Sequence, residues 1–293
     1  MGCLMRLRTV ARIAHLSDIH FGAHDPEIVA ATESWLNARQ PDLIIVSGDL
    51  TQRARAKQFR EASGYLDRLR QWGCPVLVVP GNHDVPLYDV VRRFAAPLDR
   101  YRQYISSDLC PWFENDEVAV LGLNTARSLT IKDGRINHEQ LDLIQERFSE
   151  ISSAKTRILV THHPLFAMPI GEEGVLSEVV GRHREAVQAV ADAGVHLALA
   201  GHYHRTYAQD ALKMVENVDS VLIIQAGTAT STRLRNDELQ SFNWIHAHRF
   251  DEVELQVIAW DGSKFEPGSH QRFTHDGNYW NSSEIVELTG TTG

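Results

Sequence analysis

Uninterrupted aliphatic runs in this chain stop at four or five residues, and an amphipathic stretch separates most of them from the next. Runs this short cannot cross a bilayer, and their alternation with helical periodicity predicts an α/β layered domain rather than a bundle or a sandwich of sheets alone. The predicted strands are Ala11 to Leu16, Leu43 to Ser47, Val76 to Val79, Val118 to Leu123, Arg157 to Thr161, Val195 to Ala200 and Val221 to Gln225. Asn243 to Phe250 and Val253 to Trp260 follow with only Asp251 and Glu252 between them, as in an antiparallel hairpin, so mixed sheet is expected toward the C-terminus.

Helices are predicted in the gaps. Asn137 with Gln140 three residues on has the form of a capping box, ahead of an apolar face of Leu141, Ile144, Phe148 and Ile151. Asp25 and Pro26 open another, which carries Ile28, Val29, Trp35 and Leu36. Phe59, Ala62, Leu66 and Leu69 mark a third, and Glu178 to Ala193 a fourth, which Gly194 closes. The segment 86–112 follows a strand end directly and reads as a cap insertion, with Tyr88, Tyr101 and Tyr104 packing it onto the domain. Residues 9–265 are taken as one domain and 266–293 as a partly disordered C-terminal extension.

With 293 residues, 43% of them hydrophobic, the chain can bury a sizeable core. A net charge of -9 argues against duplex nucleic acid as a partner. Cys3, Cys74 and Cys110 form no CxxC pair, which fits a reducing cytoplasm. Arg6, Arg8 and Arg12 precede no apolar block, so a secretory signal is not expected, and Arg6 stands where myristoylation of Gly2 would need Ser or Thr. Trp244, Trp260 and Trp280 are expected to pack within the chain. The oligomeric state stays open, a homodimer being one option.

Chemistry-bearing residues gather just after the strands. Asp18 and His20 stand two apart after the first, where an extended segment turns both to one side. Gly48-Asp49 follows the second, Gly81-Asn82-His83-Asp84 the third, His162-His163-Pro164 a later one and Gly201-His202-Tyr203-His204 another. Any one of these is readable as a turn or a structural histidine. Together they put six of the fifteen histidines in four short segments at one expected sheet edge, where α/β proteins bind ligands, and folding alone gives no reason for that.

The five blocks DIH, GDL, GNHD, HHP and GHYH, in that order, resemble the calcineurin-like metallophosphoesterase family, nearest to its bacterial cyclic-nucleotide phosphodiesterase-like group. The resemblance implies a four-layer α/β/β/α sandwich of two mixed sheets flanked by helices, with a dinuclear metal centre. It assigns Asp18, His20, Asp49 and His204 to one cation and Asp49, Asn82, His162 and His202 to the other. His162 rather than His163 is chosen because the family's ligand stands two residues before the proline, here Pro164. It places His83 beside the scissile phosphate. Asp84 is a candidate for orienting His83 or for capping a local turn.

Oxygen and nitrogen donors without sulfur suit two divalent ions among Mn²⁺, Fe and Zn²⁺. Such a pair acidifies a bound water, so the expected reaction is in-line attack of a metal-bound hydroxide on a phosphate ester, with His83 protonating the leaving oxygen. The expected substrate is a small-molecule phosphodiester of cyclic-nucleotide or glycerophosphodiester type, although the sequence after GNHD lacks the arginine common in cyclic-AMP enzymes. Asn124, Thr125, Arg53 and the stretch from Thr228 to Arg233 are candidate substrate contacts. A phosphomonoesterase or nuclease on the same centre is the alternative, and a non-catalytic binding scaffold a distant one.

Overall fold

The computed structural model describes residues 10–128, 133–170, 175–211, 220–234, 238–283 and 286–287. Cys3, Arg6, Arg8 and the last residues of the tail lie outside them. The chain runs β1 (Ala11–Leu16), α1 (Pro26–Arg39), β2 (Leu43–Val46), α2 (Ala56–Arg70), β3 (Val76–Val78), α3 (Val90–Ala95), α4 (Asp99–Tyr104), β4 (Trp112–Glu114) and β5 (Val118–Leu123). It continues through α5 (His138–Ser149), β6 (Thr156–Thr161), β7 (Pro169–Ile170), β8 (Val175–Leu176), α6 (His183–Asp192), β9 (Leu197–Ala200), β10 (Tyr207–Asp210) and β11 (Leu222–Gln225). The last elements are β12 (Ser241–Arg249), β13 (Glu252–Trp260), β14 (Phe265–His275), β15 (Trp280–Ser282) and β16 (Val286–Glu287).

Two mixed sheets result. The first has the order β15-β14-β13-β12-β1-β2-β3, with β16 on β14, and the second β10-β11-β9-β6-β5-β4. β1, β2 and β3 are parallel, as are β5, β6, β9 and β11. Because alternate residues of a strand face opposite ways, Ile13, Leu43 and Ile45 pack toward the second sheet, while Ala14, Ile44 and Val46 pack toward α1 and α2. The second sheet buries Ala119, Leu121 and Leu159 against α5 and α6. Three apolar cores thus separate four layers. Burial of each large aliphatic side chain contributes about 1.5–3 kcal/mol.

Local signals set the helix ends. The Asp25 carboxylate accepts the Glu27 N–H at 2.9 Å to start α1. At α5 the Asn137 side chain accepts from Gln140 N at 2.9 Å and the Gln140 side chain from Asn137 N at 3.1 Å, the reciprocal pair expected. The fourth predicted helix is shorter than expected: α6 begins at His183, and β8 occupies residues before it. Gly194 follows it at φ +60°.

The region 86–112 contains α3 and α4. Tyr101 donates its hydroxyl to the Val78 carbonyl at 3.1 Å and Tyr104 stacks on Phe59, whereas Tyr88 is 72% exposed. The C-terminal part differs from its reading as an extension. β14 begins at Phe265 and pairs along its length with β13, and Phe273 and Trp280 enter the core between the sheets. A boundary at 265 therefore cuts a strand of the first sheet. Trp244, Trp260 and Trp280 are all buried within the chain.

Candidate metal centre

All five motif segments leave the C-terminal ends of parallel strands on one edge: β1, β2 and β3 from one sheet, β6 and β9 from the other. The backbone there is unusual. Among the described residues eight non-glycine positions have positive φ, and five of them are Asp18 (52°), His20 (54°), Asp49 (52°), His202 (80°) and His204 (57°). A left-handed conformation costs about 1–2 kcal/mol per residue, so such clustering needs a surrounding structure that over-determines it. Part of that structure is a second strap. Ala229 N donates to Ser17 O at 3.0 Å, and the Thr228 and Thr230 hydroxyls donate to Asp18 O and Ile19 O at 2.7 and 2.8 Å.

The side chains converge in two groups. In one, His204 Nε2 lies 3.1 Å from Asp18 Oδ1 and 3.1 Å from His20 Nε2, and His20 Nε2 lies 3.7 Å from Asp49 Oδ2. In the other, the same Asp49 Oδ2 is 3.4 Å from His162 Nε2, while Asn82 Oδ1 is 3.1 Å from both His162 Nε2 and His202 Nδ1. Asp49 belongs to both. Backbone carbonyls aim the rings: His162 Nδ1 donates to Ser47 O at 2.8 Å and His204 Nδ1 to Arg233 O at 3.3 Å, leaving each Nε2 for the centre. Gly48, at φ +99°, passes so close to His162 that a Cβ there would lie 2.5 Å from Nδ1.

Electrostatics fit a cation-binding donor set. Burial opposes ionisation of Asp18, yet His204 and His20 outweigh it and hold its pKa well below the ordinary carboxylate range. Asp49 is likewise lowered, burial being outweighed by His162 and His83. Burial alone would suppress protonation of His162, but Asp49 and Asp18 lift it to about 9. Burial lowers the pKa of His20. Asp18 Oδ1 is buried without a hydrogen bond, facing two imidazole nitrogens. Buried carboxylates ringed by imidazoles hold either protons or metal ions, and these groups could hold metal.

His83 sits beside the two groups on the wall of an open cleft of about 1170 Å³, its ring 4.9 Å from that of His20. Its Nδ1 donates to the Gln52 carbonyl at 2.8 Å, which leaves Nε2 as its remaining nitrogen. His163 has its Nδ1 2.8 Å from the Thr125 hydroxyl, while its ring lies 4.7 Å from that of His202, and with His162 and His202 it forms a further group that could hold metal. Asp84 has a different task from orienting His83. Its carboxylate accepts Leu50 N, Thr51 N and Gly81 N at 3.2, 2.9 and 3.0 Å and the Thr51 hydroxyl at 2.9 Å, stapling the loop after β2 to the loop after β3. Burial, followed by the charge of Asp49, raises its pKa to about 6.

The candidate substrate contacts divide. Arg53 and Arg233 line the cleft. Asn124 and Thr125 do not: both are buried, the first accepting from Ala126 N and the second held against His163. Thr228 and Thr230 position the Asp18 loop. Arg55, Arg93 and the Gln52 carbonyl are contributions the sequence did not announce. A backbone carbonyl has no residue-type signature, so Gln52 had no signal to find.

The sequence profile of the calcineurin-like phosphoesterase family matches residues 11–206. A probable cyclic nucleotide phosphodiesterase of Synechococcus sp. is 28% identical over 221 residues, covering 67% of this chain and 74% of the relative. A 3′,5′-cyclic adenosine monophosphate phosphodiesterase of Escherichia coli K12 is 23% identical over 168 residues, covering 53% of this chain and 56% of that protein. In fold, a purple acid phosphatase from yellow lupin seeds is similar at a TM-score of 0.68 and 14% identity, over 88% of this chain and 53% of the other. This chain therefore spans little more than half of the latter two. Among the described residues no helix is long and apolar enough to cross a membrane.

Proposed function

The chain belongs to the calcineurin-like phosphoesterase family, and on that premise we propose that it hydrolyses a small-molecule phosphodiester at a dinuclear metal centre. Asp18, His20, Asp49 and His204 would hold one divalent ion, and Asp49, Asn82, His162 and His202 the other, with Mn²⁺, Fe and Zn²⁺ all compatible with the donors. The observation that carries this reading is the sharing of one Asp49 oxygen between two donor groups on the wall of an open cleft, with His83 alongside. When bound, such ions supply Lewis acidity toward phosphoryl oxygens and acidify water.

The protein's own groups do the rest. The Gln52 carbonyl holds the Nδ1–H of His83, so that Nε2 is the nitrogen facing the leaving oxygen and, when the ring is the imidazolium, the one that gives it a proton. Asp84 keeps the loops bearing Asp49 and His83 in register. Arg53 and Arg233 give the cleft wall positive groups suited to an anionic ester. The names of the two phosphodiesterase relatives support a diester over a monoester.

The test is a comparison of bis-p-nitrophenyl phosphate with p-nitrophenyl phosphate on Mn²⁺-reconstituted protein, followed by cyclic nucleotides and glycerophosphodiesters. Faster cleavage of the diester is expected. Equal or reversed preference would transfer the assignment to a monoesterase, and a metal-replete protein inactive on all of them would leave a binding scaffold.

A further inference from the structure

A second histidine cluster lies outside the residues matched by the family profile, on strands β12, β13 and β14. His246 and His248 alternate along β12 and so share a face, the same one on which Trp244 meets Trp35 of α1. That is the outer face of the first sheet. His246 pairs with Arg12 near the start of β1, whereas the catalytic cleft lies beyond the other end of that strand. A break in the β12–β13 register between Ala247 and Arg249 falls at His248, as happens where a bulge re-aims a side chain.

Glu254 of β13 organises the cluster, and its two oxygens have different neighbours. Arg272 takes Oε1, with Nε at 3.1 Å and Nη2 closer. Oε2 has three imidazoles around it: His246 Nδ1 at 3.5 Å, His248 Nε2 at 3.7 Å and His270 Nε2 at 3.8 Å. These separations are at or beyond the limit of a hydrogen bond. They are close to the edge of a tetrahedron of ligands about 2.1 Å from a zinc ion, which is about 3.4 Å. His246, His248 and Glu254 each offer an atom within 4.8 Å of the others. His248 Nε2 is buried without a hydrogen-bond partner, although its side chain is 23% exposed. An ion between these atoms would satisfy it.

We propose that His246, His248 and Glu254 form a three-ligand binding site for a divalent cation of the zinc class, separate from the catalytic centre. Two imidazoles and one carboxylate are a donor set zinc takes, with its remaining position left to solvent. Binding has a consequence for Trp244. Its indole N–H now donates to His246 Nε2 at 2.9 Å, which puts the proton of a neutral His246 on Nδ1. Ligation through Nδ1 moves that proton to Nε2 and breaks the indole bond, so loading reports itself at Trp244. The ion also joins β12 and β13 across the outer face.

The experiment uses the full chain with its catalytic centre already loaded. Zinc is added, excess is removed by dialysis, and metal content per chain is measured for wild type, His248→Ala and Glu254→Gln. Wild type is expected to retain one zinc more than either variant, and its tryptophan fluorescence to change during the titration in a way that His248→Ala does not. Phosphodiester turnover of His248→Ala should stay within twofold of wild type. Equal zinc content in wild type and a folded His248→Ala would overturn the site. Because the readout is a difference in metal content, it stands whether or not the chain cleaves diesters.

Discussion

His196 gives the protein a calculable acid sensitivity far from its catalytic centre. The residue precedes β9, and its Nδ1 accepts the Arg157 backbone N–H at 2.9 Å, a bond only the unprotonated nitrogen can accept. Burial, then the positive charges of Arg157 and His275, lowers its pKa from 6.5 to about 4. The unfolded chain therefore binds a proton that the folded chain refuses, and the stabilisation is complete above the unfolded pKa and lost as pH falls from about 6.5 toward about 4. At 1.36 kcal/mol per pKa unit the full effect is about 3 kcal/mol, of which about 2 kcal/mol disappears between pH 8 and pH 5. In His196→Asn the amide oxygen takes the place of Nδ1 as acceptor and does not titrate. Urea denaturation of both proteins from pH 8 to pH 5 should show wild type losing about 2 kcal/mol more than the variant. Parallel pH profiles would refute the assignment of a buried neutral imidazole.

Two further substitutions probe the centre itself. His83→Ala should keep the full complement of metal while turnover falls by about 10²–10⁴-fold, as expected for loss of a general acid, and loss of metal instead would make His83 a ligand. Gly48→Ala places a Cβ 2.5 Å from His162 Nδ1 at a φ of +99°, so metal retention should fall and stability drop by at least about 1–2 kcal/mol. Unchanged metal content and stability would show that the loop after β2 can shift without cost.

The layered α/β fold was legible because strand and helix periods are local properties. The predicted strands are found within a residue or two of their expected ends, and the Asn137 box starts α5 as read. β14 was not legible. It carries Pro267 and Gly268 in its interior, which argue against a strand, but there the register shifts against β13 so that Val257 opposes Ser269 and Ile258 opposes Pro267. Gly268 is the extra residue of that irregularity, which frees the strand from an unbroken ladder. Asn124 and Thr125 misled for the reverse reason: a strand end puts a residue near the edge, but only packing decides whether it turns to the cleft or to His163.

Residue types were enough to show that carboxylates, an amide and imidazoles follow successive strands, since each short motif is written in adjacent positions. What they could not show is distance. His20 and His204 stand 184 residues apart in the chain and 3.1 Å apart in space, and that approach depends on two sheets packed face to face and on Ser17, Asp18 and Ile19 strapped by residues 228–230. Local sequence chooses the donors. The shared core of Ile13, Ile45, Val160 and Leu199 brings their strand ends together, because burying those side chains between the layers leaves both sheets' parallel strands ending at one edge.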